Sequence, residues 1–98
     1  MLLPVDSDNI EEAKLTKIND VKFWMQLLVL EGSIKELNVS TTMNNFENFS
    51  ECVVVENDNE YVWPFIEQSM MVLVAHTQRS IEDIVEAYIF KELHDLAY

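Results

Sequence analysis

The chain has 98 residues, the size of one ordinary domain, and 49% of them are hydrophobic, enough for one core. Six Lys and Arg against eighteen Asp and Glu leave a formal net charge of −12, which argues against direct nucleic-acid binding, since phosphate recognition needs clustered bases. One Cys excludes an internal disulfide framework and a cysteine-based zinc site, and one Gly excludes both the phosphate-binding P-loop and the dinucleotide fingerprint.

The opening MLLPVDSDNIEE lacks a basic region, and its apolar stretch breaks at Pro4 and Asp6, so it does not read as a secretory signal. A first helix is predicted from about Asn9 to Ile18, capped by Asp8 with Glu11 three residues on. Val21 to Leu30 fits two patterns. As a helix it starts at Asn19 or Asp20 and stops at Gly32; as a strand it alternates Val21, Phe23, Met25, Leu27 and Val29 on one face. The helix is preferred, because cap and stop bracket it. Ser33 to Glu36 spells a capping box, which predicts a short helical turn to Asn38.

Residues 40–51, STTMNNFENFSE, read as a loop. CVVVENDNEYVW then predicts a β-hairpin turning at Asn57-Asp58-Asn59. Pro64 suits the first turn of a helix that runs to about Gln78 through the all-apolar MMVLVA. The last predicted helix starts at the Ser80–Asp83 capping box, runs towards Ala97 and lies antiparallel to its predecessor. Ile81, Ile84, Val85, Tyr88, Ile89 and Leu96 form its apolar face. The expected fold is α+β and mainly helical: four or so helices with one β-hairpin near residues 52–63, an all-α bundle being the alternative. Residues 1–98 form a single small acidic domain.

Several residues depart from these patterns. Phe90 points about 180° from Ile81, on the polar side of the last helix with Asp83, Glu86, Ala87 and His94. An aromatic among carboxylates suits an interaction anchor; the competing reading is that it packs beneath the N-terminal helix or the 40–51 loop, or lies in a homodimer seam. Glu92 projects into the apolar arc. His76 and His94 show no metal-ligand spacing, and Cys52 before three valines reads as a buried small hydrophobe without a nucleophile signature. Of Met25, Met43, Met70 and Met71, core filling is expected of all but Met43. No catalytic, cofactor or metal residues are assigned. Two N-x-S strings, at Asn38 and Asn48, read as accidental.

The charge is uneven: residues 1–48 carry a net −4 and residues 49–98 a net −8, and no base occurs between Lys35 and Arg79. The acids expected to face solvent are Asp6, Asp8, Glu11 and Glu12; Glu56, Asp58 and Glu60 at the hairpin tip; and Glu82, Asp83 and Glu86 on the last helix. Rows of carboxylates on a rigid scaffold imitate the spaced charges of DNA and steer a basic partner. The expected function is a non-enzymatic acidic inhibitor or regulator. It would occupy a basic surface on a nucleic-acid-handling enzyme, host-defence protein or toxin, with Glu82, Asp83, Glu86, Phe90, Glu56, Asp58 and Glu60 as partner-binding residues. An Asn- and Ile-rich, Arg-poor composition points mildly to an A+T-rich source such as a phage or virus. The alternative is a helical adaptor working by homo- or hetero-oligomerisation, a homodimer among the options. The longest apolar run, Met70 to Ala75, is far shorter than the roughly 20 residues of a membrane span. A reducing, cytoplasmic location without membrane association is expected.

Overall fold

A computed structural model of the chain describes residues 1–43, 46 and 49–96. Among them are six strands and two short α-helices: β1 (Leu2–Val5), β2 (Phe23–Leu30), β3 (Ser33–Ser40), β4 (Cys52–Val55), α1 (Trp63–Glu67), β5 (Met71–Val74), α2 (Ile81–Ile89) and β6 (His94–Asp95). The strands form one mixed sheet in the order β3-β2-β1-β4-β5-β6. β1, β4 and β5 run parallel; β2, β3 and β6 pair antiparallel with their neighbours. The protein is therefore sheet-dominated α/β. Neither the mainly helical α+β expectation nor the all-α alternative holds.

The central strands explain the error. LLPV, CVVV and the VLV of β5 are apolar at successive positions and buried throughout. Such runs belong to strands covered on both faces, and over so few residues they look the same as a buried helix. Two cores lie on opposite faces of the sheet. One gathers Leu3, Val5, Met25, Leu27, Val54 and Leu73 with Ile81, Ile84 and Val85 of α2. The other gathers Leu2, Trp24, Val53, Val55, Val72 and Val74 with Phe65 of α1. The rings of Phe65 and Trp24 lie 5.8 Å apart and tilted.

Within 21–30, Phe23–Leu30 is strand β2 rather than part of the preferred helix. Phe23, Met25, Leu27 and Val29 point to the α2 face as the strand alternative required, while Val21 packs on the other core. Gly32 is a turn residue rather than a helix stop. Glu31 (φ 53°) and Gly32 (φ 81°) make a two-residue connection whose positive angles match the twist of a tight hairpin. Ser33 to Asn38 is consequently the returning strand β3, not a helical turn. Residues 9–18 do not form the predicted helix. Asn9 caps a turn, its Oδ1 accepting from the Glu11 N–H, and a 3-10 turn follows at Ile18–Asp20.

The expected hairpin at 52–63 is half right: β4 is a strand, but the Asn57–Asn59 turn leads into α1, with Pro64 in its first turn. That helix stops at Glu67, and MMVLVA supplies β5, so the predicted antiparallel partner of the last helix is a strand. The Ser80 cap stands: its Oγ accepts from the Asp83 N–H at 3.2 Å. α2 ends at Ile89, and Leu96 lies beyond it. Ala97, the predicted end of that helix, and Asn48 lie outside the described residues. Between β3 and β4 the described residues form neither helix nor strand. Among the described residues no helix is long and apolar enough to cross a membrane.

Candidate functional site

α2 lies across one face of the sheet because Ile81, Ile84 and Val85 recur on one side of the helix and are buried there. Its first turn carries Glu82 and Asp83, which the helix dipole favours. Ile10 and Glu11 from the β1–β2 connection and Ser33 and Ile34 from the hairpin face it, leaving a groove of about 830 Å³. Val85, Ile89 and Ile34 give the groove an apolar floor, Glu11, Glu82 and Glu86 supply three carboxylates, and no described lining residue is a base. Phe90, the C-cap of α2, stands at its end, 67% exposed.

Three of the seven residues assigned to partner binding thus meet in one groove: Glu82, Glu86 and Phe90. Asp83 is exposed on the same helix but does not line it. The polar-side grouping around Phe90 needs revision elsewhere. Ala87 is buried, and His94 and Glu92 lie beyond the helix, with Glu92 exposed. Glu11 and Ile34 were not assigned, because contact across separate elements leaves no mark in sequence spacing.

Glu56, Asp58 and Glu60 sit in the β4–α1 loop, not at a hairpin tip. Glu60 is half-buried, and its carboxylate accepts from the backbone N–H groups of Ile18 (2.5 Å), Glu56 (2.8 Å) and Asn57 (3.0 Å). It ties the loop to the 3-10 turn. Glu56 pairs with Arg79 at 3.7 Å, while the same guanidinium donates to the carbonyls of Ala75 and Gln78 at 2.8 Å and of His76 at 3.2 Å. Asp6 accepts from the Lys14 N–H at 2.8 Å. Asp58 remains exposed.

The other chemically interesting residues lie apart from this groove. Cys52 is a free, buried thiol, as its sequence context suggested, and burial pushes its pKa up. It borders a notch of about 410 Å³ with Glu51 and Tyr88, into which neither histidine projects. Burial also raises the Tyr88 hydroxyl, with smaller contributions from Cys52 and Glu51. His76 and His94 are both exposed, and the β5–β6 pairing brings their rings to 5.9 Å. Among the described residues no group of three or more His, Cys, Asp or Glu is placed to hold a metal. Met25 is buried, Met70 and Met43 pack against the α1-side core, and Met71 is exposed, contrary to its expected core role.

No protein-family model matches the chain, and no curated protein does. A solved structure described as "Crystal structure of PH0822" is similar, with a TM-score of 0.71 over 99% of this chain and 95% of the other, at 13% sequence identity. At that identity the likeness establishes a shared fold and nothing of activity.

Proposed function

We propose that the chain is a non-catalytic protein-binding regulator. Its α2 groove docks a cationic, partly apolar segment of a partner, in the first instance the nucleic-acid-contacting surface of a protein that normally grips phosphates with Lys and Arg. The observation that carries this reading is the exposed Phe90 closing an apolar groove walled by Glu11, Glu82 and Glu86. An aromatic anchor that the partner covers supplies affinity, and the surrounding carboxylates supply steering and register. Broad mimicry of a DNA backbone is the weaker form of the reading, because Asp6, Glu56 and Glu60 are bonded within the protein. The reading therefore narrows to α2 and its surroundings.

A charge-reversed variant tests it. Calorimetric titration with an amphipathic peptide of alternating Arg and Leu turns should give binding at low salt that weakens as salt rises. E82K/E86K should abolish that binding while the circular dichroism of the fold is retained. Undiminished binding by this variant removes the groove from consideration.

A further inference from the structure

We infer that the chain self-associates through the free edge of β3, two copies joining their sheets antiparallel about Asn38. Among the described residues β3 ends the sheet, with β2 on one side only. It is eight residues long and holds no Pro, and the charges and bulge by which natural edges are protected fall in its first half, at Lys35 and Glu36. One bulge interrupts it: β2 partners pass from Glu36 to Ile34, leaving Lys35 as the extra residue. The regular edge is therefore Glu36–Ser40. Leu37 and Val39, opposite Leu27 and Met25, share the α2 face and remain 38% and 37% exposed.

The sequence of this edge is complementary to itself. A twofold axis normal to the sheet keeps every side chain on its own face, so residues of like parity meet. Centring on Glu36 sets two carboxylates against each other, and centring on Leu37 brings the bulged Lys35 against Val39. Centring on Asn38 pairs Leu37 with Val39 twice, Glu36 with Ser40 twice and Asn38 with its copy. No like charges meet, and four apolar side chains cluster around the axis. Charge favours the same occupant. The hairpin from Phe23 to Ser40 carries Lys35 against only Glu31 and Glu36, near neutrality in a chain of −12. A basic partner is drawn to the carboxylates of α2 and finds no such field at β3.

The inference stands apart from the α2 reading, and salt separates them with opposite sign. Two bodies of −12 repel, so screening should tighten the dimer, whereas docking of a cationic segment loosens. Sedimentation equilibrium should show a species of twice the 11.5 kDa chain, with a dissociation constant at least about threefold lower in 0.5 M than in 0.05 M salt. N38C should form a disulfide-linked dimer under mild oxidation, because paired antiparallel residues lie within disulfide reach and the native Cys52 is buried. L37K/V39K should be monomeric. A native chain that stays monomeric at millimolar concentration in high salt overturns the inference. So does a dimer in which N38C fails to cross-link, or one that persists in a folded L37K/V39K.

Discussion

The β4–α1 loop and the α2 groove carry the same kind of residue with opposite consequences. In the loop, Glu60 binds three backbone N–H groups and Glu56 meets Arg79, so the charge holds the chain together. On α2, Glu82 and Glu86 line an apolar groove beside an exposed phenyl ring, and among the described residues no hydrogen bond or ion pair engages their carboxylates. A count of acids therefore says little about what a surface displays. What matters is whether nearby backbone donors already occupy each carboxylate.

The largest effect should come from the loop. Glu60→Ala leaves three part-buried backbone N–H groups without their acceptor and should cost about 2–3 kcal/mol of stability in urea unfolding. Glu86→Gln should change stability by less than about 0.5 kcal/mol in the same assay. Equal losses would erase the contrast between the regions. An intermediate effect is expected at the groove's end: Phe90→Ala should weaken peptide binding by about 1–2 kcal/mol with little change in unfolding midpoint, since the ring is exposed. A large stability loss there would make Phe90 a packing residue instead.

The smallest effect concerns pH. Burial raises the Cys52 pKa above its unfolded value, so the folded state holds that proton more tightly. This contribution is fully present below the unfolded thiol pKa, and it declines as pH rises above about 8.5. Cys52→Ala should flatten that alkaline decline in unfolding free energy. The Tyr88 hydroxyl, raised in the same direction, should leave a residual slope at higher pH. An unchanged slope in Cys52→Ala would mean the thiol titrates alike in both states.

The local signals were legible where a side chain meets its own backbone. Ser80 and Asp83 spell the cap of α2, and Pro64 marks the start of α1. Phe90, placed by its angle from Ile81 on the polar side of the helix, is exposed and not packed beneath another element. The sheet was hidden because its identity depends on long-range pairing. Cys52–Val55 and Met71–Val74 are adjacent parallel strands separated by α1, and nothing within either four-residue run marks it as half of a pair. Gly32 misled because it serves equally as a helix stop and as the second residue of a hairpin turn. The groove was legible only in part. Glu82, Glu86 and Phe90 share one helix, whereas Glu11 and Ile34 reach them from separate elements.

Backbone amide chemical-shift mapping during titration with the Arg- and Leu-bearing peptide probes the α2 groove most directly. Saturable shifts confined to Ile10–Glu11, Ser33–Ile34 and Ser80–Phe90, fading with added salt, are the predicted result. Weak shifts spread equally over Asp8, Asp58 and the remaining exposed acids would contradict it, leaving the charge as a diffuse coat with no docking surface.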